Sequence, residues 1–186
     1  MNEPGTEQIP DGATNPTAAP TIDPVKQEML LQSLREQQEP GRSILFGFLT
    51  ALACASLWAL ITELTDRQIG WMAIGVGAGV AYVVRTVGKG IDRAFGYWSA
   101  GLSLFGCVLG NVLTIAVEVA KHQSVSVPSV LLILLSRPSI LAAVMKQTFN
   151  PIDLLFYGLA VYYGYRMAFR RLTQQELQSM QLNGVQ

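Results

Sequence analysis

Four long apolar runs, separated by short polar interruptions, organise this chain: Ile44–Leu64, Ile69–Val87, Phe95–Val117 and Ile152–Phe169. Each is near the ~20 residues an α-helix needs to cross a hydrocarbon core of ~30 Å. The pattern predicts an all-α membrane protein, a bundle of four transmembrane helices. Thr65-Asp66-Arg67-Gln68 joins the first two runs, and Gly88 to Arg93 joins the second to the third. Connections this short predict antiparallel helical hairpins.

Between the third and fourth runs the pattern changes. Val125–Leu135 is apolar but short, and Ser136-Arg137-Pro138-Ser139 separates it from Ile140–Met145. One crossing through this segment would put Arg137 near mid-bilayer, at a cost of about 2.5–3.5 kcal/mol. Two short interfacial helices over 125–147 are expected instead, on the periplasmic side, with Pro138 opening the second.

The ends are of another character. Residues 1–23 carry Pro10, Pro16 and Pro20 without apolar periodicity and are expected to be disordered, with no cleavable signal peptide. Asp23-Pro24 opens a predicted amphipathic cytoplasmic helix over 24–39, which Pro40-Gly41 ends. Residues 171–186 form a polar tail, expected to be cytoplasmic.

Charge adds orientation to this outline. The net charge is zero, but with four crossings and a cytoplasmic N-terminus, Lys26, Arg35, Arg42, Arg85, Lys89, Arg93, Arg166, Arg170 and Arg171 fall inside. Arg67, Lys121, Arg137 and Lys146 fall outside, so nine of 13 basic residues follow the positive-inside rule. Both termini are therefore expected in the cytoplasm. Arg85, Lys89 and Arg93 are read as topology anchors that meet lipid headgroups, and as a candidate anionic-lipid site. Trp58, Trp71, Tyr97 and Trp98 lie near span ends, as interfacial aromatic anchors do, with a deeper position open for Trp58.

Small residues suggest how the helices meet. Gly75 and Gly79 share one face of the second run, and Ala73, Gly77 and Ala81 share nearly the opposite one, so two close neighbours are expected. Gly106 and Gly110 form a G-x-x-x-G pair on the third run. Dense packing within the bundle accounts for these glycines; a homodimer face is the alternative. Cys54 and Cys107, inside apolar runs, are read as packing residues.

Candidate chemistry is sparse. Glu63, Asp66, Arg67, Asn111, Glu118 and Asp153 could converge on one outward-facing polar patch, with Asn111 the deepest; Asn111, Glu118 and Asp153 are its candidate site residues. Asp153 has a local explanation, since Asn150 and Pro151 ahead of it read as a cap and a first-turn proline. Gly75-x-Gly77-x-Gly79 lacks the dinucleotide-binding spacing, and Gly88-Lys89-Gly90 lacks the Ser or Thr of a P-loop. His122 is the only histidine and offers no zinc ligand pair. No serine has a base readable from spacing. No enzyme activity, cofactor or metal is expected, and no nucleic-acid partner, because the cations flank lipid-facing runs.

Three groups of residues carry a resemblance. They are Trp58 to Thr62 with Ile69 to Gly77, Val84-Arg85 with Gly88-Lys89-Gly90, and Leu104 to Asn111 with Asp153 to Ala160 and Gly164-Tyr165. Together they resemble a family of small, uncharacterised multi-pass proteins of the bacterial inner membrane, over roughly Ile44 to Phe169. The resemblance implies a four-helix membrane domain and no defined activity. Some similar proteins carry a cysteine-rich segment ahead of the membrane domain, but this chain has no cysteine before Cys54. Two functions are open at this point: a structural or interaction protein that contacts another membrane protein or itself, and an oligomeric small channel or transporter subunit built on Asn111 and the polar patch.

Overall fold

A computed structural model describes residues 24–65, 67, 70–148 and 150–170. The tails expected over 1–23 and 171–186, with Arg171, lie outside these residues, as do Asp66 and Ile69. The described residues form α1 (Pro24–Glu36), α2 (Pro40–Thr65), α3 (Met72–Gly88), α4 (Arg93–Gln123), α5 (Val127–Ser136), α6 (Pro138–Thr148) and α7 (Pro151–Met167), with no strand among them.

Local chemistry sets the boundaries. Proline opens α2, α6 and α7 at the first helical position, where its missing N–H costs nothing. Lys89 and Ser124 close α3 and α4 in the left-handed conformation (φ 48° and 52°), and their N–H groups return to the carbonyls of Arg85 and Ala120. Arg137 separates α5 from α6, because the residue before Pro138 is pushed out of the helical region. The two helices bend by 104° there.

Helices α2, α3, α4 and α7 pack together, with α3 and α4 in mutual contact and both touching α2 and α7. The contacts along their lengths give their directions. Ser43, Gly47 and Cys54 of α2 approach Gly88, Val84 and Gly79 of α3, so this pair is antiparallel. Gly47, Ala51 and Trp58 of α2 meet Leu102, Gly106 and Gly110 of α4, so that pair is parallel. Helix α7 runs with α3, its Phe156 against Gly70 and its Ala160 against Gly77. The order is up, down, up, down.

The interior is built from small residues. Ala51, Ala55, Ala73, Ala81, Ser99, Ser103 and Ala160 are completely or almost completely buried. Large apolar side chains point outward instead, among them Leu45, Phe46, Leu49, Leu57 and Leu60 on α2, Leu104 and Phe105 on α4, and Leu154 and Leu155 on α7. Such an exposed apolar surface is compatible with a surrounding of lipid. A second, smaller cluster joins Val112, Ala116 and Ala120 of α4 to Val130 and Leu134 of α5.

Length qualifies the expectation of four crossings. Among the described residues, only α2, with 26 residues, and α4, with 31, are long and apolar enough to cross a membrane by themselves; the bent α5–α6 pair would be a third if taken as one span. Helices α3 and α7 have 17 residues each, about 25 Å at ~1.5 Å per residue, short of a ~30 Å core.

At the end of the bundle near the N-terminal end of α2, α1 is tied down. Leu34 is buried, Arg35 and Gln38 both donate to the Asp92 carboxylate (3.2 and 3.0 Å), and the Glu39 N–H bonds the Gly88 carbonyl. Asp92 precedes α4 at the capping position, yet its carboxylate serves α1 and makes no cap bond.

Candidate functional site

A half-enclosed cleft, mostly apolar with several polar groups, lies at the other end of the bundle, between the last turns of α2 and the second half of α4. Its volume is about 520 Å³. Thr62, Glu63 and Arg67 line it from the α2 side, Asn111, Thr114 and Glu118 from α4, and Val144 of α6 forms part of the wall. Asn111, Thr114 and Glu118 follow i, i+3, i+7 spacing, which puts them on one helical face.

Asn111 is buried, and its side-chain N–H donates to the Tyr157 hydroxyl of α7, which in turn donates to the Cys107 carbonyl at 3.4 Å. The amide thus ties α4 to α7 at the floor of the cleft. Below it the bundle is closed: Trp58 covers Gly110, Val76 covers Gly106, and Val80 and Val84 are completely buried.

Around the mouth the charges are partly matched. Lys121 pairs with Glu63 at 2.9 Å, and Glu118 bonds the His122 imidazole at 2.7 Å. The Arg67 guanidinium has no ion-pair partner among the described residues. The Thr62 hydroxyl is buried without a hydrogen-bond partner, as is the indole N–H of Trp58 one turn earlier.

Of the six residues expected to converge, the cleft gathers Glu63, Arg67, Asn111 and Glu118. Asp153 does not join them. Its carboxylate accepts from the Asn150 N–H at 2.9 Å, closing a capping box at the start of α7, so its placement there serves the helix end. Sequence reasoning passed over Thr62, Thr114 and Tyr157. The spacing of Thr114 behind Asn111 was the available signal for one of them; nothing in the pattern paired Tyr157 with Asn111.

The glycines divide by partner. A methyl group at Gly77 would run into the Ala160 backbone of α7. At Gly106 it would sit 2.7 Å from Val76, at Gly110 3.0 Å from the Trp58 ring, and at Gly79 3.4 Å from the Cys54 sulfur. Gly75 has open space around it among the described residues and is exposed, so it marks no helix contact there. The expected shared face of Gly75 and Gly79 narrows to Gly79, which alone of the two meets an α2 side chain, Cys54.

The candidate anchors collect at the opposite end from the cleft. Arg85 lies over the Tyr82 ring, 5.5 Å from its centroid, Lys89 closes α3, and Arg93 opens α4 on an exposed surface. Arg166 of α7 lies over Tyr162, and the Arg170 N–H bonds the Gly90 carbonyl beside them. Gly88 and Gly90 pack against Phe95, which gives the Gly-Lys-Gly stretch a packing role. Cys54 and Cys107 are free thiols.

Comparison with protein-family models, curated proteins and solved structures finds no match.

Proposed function

We propose that this chain is a multi-pass protein of a bacterial inner membrane, in which α2, α3, α4 and α7 all cross the bilayer with both chain ends in the cytoplasm. We propose also that it belongs with the small inner-membrane proteins its motifs resemble. Connectivity supports the four crossings. If α2 and α4 both cross in the same direction, the chain between them must return, and α3 is the helix available to do so. Helix α7 then accompanies α3 from the cleft end to the cationic end. Neighbouring helices and short flanking turns compensate for the modest length of each. Arg85, Lys89, Arg93 and Arg166 gather at the end assigned to the cytoplasm, where anionic headgroups favour them. Helices α5 and α6 rest at the opposite interface in this arrangement.

Within that membrane setting the chain acts as a structural or interaction protein, a small accessory bundle that contacts another membrane protein or a second copy of itself. The observation that carries this reading is the tightly packed interior below Asn111, where small residues bring α3, α4 and α7 into close contact. Chemical crosslinking in intact membranes followed by gentle purification should return a discrete complex. Recovery of the lone monomer with lipid, repeatedly, contradicts the reading.

The cleft favours a second reading, an oligomeric channel or transporter subunit. It predicts that Asn111→Leu and Glu118→Gln reduce a solute flux in reconstituted vesicles, and unchanged flux removes it.

A further inference from the structure

The cleft has features that dense packing does not require. At about 520 Å³ it is within the range of small-ligand pockets, and its wall mixes apolar side chains such as Val144 with a few convergent polar groups. The Thr62 side chain lines it, its hydroxyl oxygen turned away from the open space and without a hydrogen-bond partner. Asn111, held by Tyr157, forms the floor, so an occupant entering from the mouth meets a dead end suited to binding.

The charges narrow the ligand. Glu63 is compensated by Lys121. That leaves Arg67 without an ionic partner among the described residues, and Glu118 bonded to an imidazole rather than to a lysine or arginine. These two charges of opposite sign line the same cleft, one following α2 and one on α4. A simple cation would satisfy Glu118 and be repelled by Arg67; a simple anion would do the reverse. We propose that the cleft binds a small zwitterion, with its oxyanion on Arg67, its ammonium on Glu118 and its body against Thr62, Thr114 and Val144. The proposal goes beyond the accessory reading and does not depend on it. Two sources share this chemistry, a free amino-acid-like solute and the headgroup of an ethanolamine phospholipid.

Equilibrium dialysis of the full-length protein in phosphatidylglycerol nanodiscs, which contain no zwitterionic lipid, separates the outcomes. The probes are radiolabelled L-alanine and glycerophosphoethanolamine, with ethylamine and propionate as competitors of single charge. At least one zwitterion should bind saturably, and neither competitor should displace it at equal concentration. Arg67→Gln and Glu118→Gln should each weaken its binding about tenfold, the scale of one lost charge-assisted bond. Both side chains are exposed, so these variants should keep wild-type thermal stability, which is measured alongside. Binding of alanine assigns a free solute; binding of glycerophosphoethanolamine alone assigns a lipid headgroup. Failure of both to bind, displacement by either competitor, or indifference to both charge variants overturns the proposal.

Discussion

At the scale of single residues, the bundle depends on where a side chain is absent. Gly77 lets the α3 and α7 backbones touch, and a leucine there must push α7 away or distort it. Gly77→Leu should lower the unfolding temperature in detergent markedly, by the equivalent of about 1–3 kcal/mol or more. Gly75→Leu, two residues earlier in open space, should leave it near wild type and serves as the control. Equal effects from the two would show that α3 does not pack on α7 as described. The contrast also shows how far the sequence could be read. Glycine spacing announced close helix contacts, but both faces of the second run looked equally suited, and only the positions of Cys54 and Ala160 separate Gly79 and Gly77 from Gly75. Asn111 is a similar case. Its polarity at depth was visible, whereas its partner Tyr157 lies 46 positions away and depends on the packing of α4 against α7. Tyr157→Phe should cost about 0.6–1.7 kcal/mol of stability, measured by reversible unfolding in mixed micelles, as interhelical bonds in membrane proteins do.

At the scale of elements, ends and junctions carry the information. The cap at the start of α7 was legible from Asn150 and Pro151, because each acts on backbone within its own turn, whereas the return bond of Asp153 that completes the capping box emerged from the structure. Asn150→Ala should destabilise α7 by about 1 kcal/mol and raise hydrogen exchange in its first turn. The link from α1 to Asp92 was not legible, since the two parts are 54 to 57 positions apart. Asp92→Ala should release α1, raising amide exchange over Ser33 to Glu36 while the bundle's unfolding temperature moves little. Protection of those amides at the wild-type level would contradict the tie. The pair α5 and α6 was foreseen from Arg137 and Pro138, which break the apolar pattern for reasons of charge and backbone geometry. Its packing on Val112, Ala116 and Ala120 was not, because it uses apolar positions of α4 that lipid could equally have covered.

At the scale of the whole molecule, a small-residue interior and an apolar exterior are combined with a cationic end and a cleft at the other end. The central claim is that four helices cross a bilayer in alternating directions, although two of them are short. Single-cysteine labelling with a membrane-impermeant maleimide tests it most directly, in a background carrying Cys54→Ala and Cys107→Ala. Arg67→Cys and Lys146→Cys report the cleft end, and Arg42→Cys and Lys89→Cys the cationic end. In bacterial spheroplasts the first two should label from outside, and the second two should label only after permeabilisation. Labelling of Arg67→Cys and Lys89→Cys from the same side would mean that α3 does not cross, and would contradict the account.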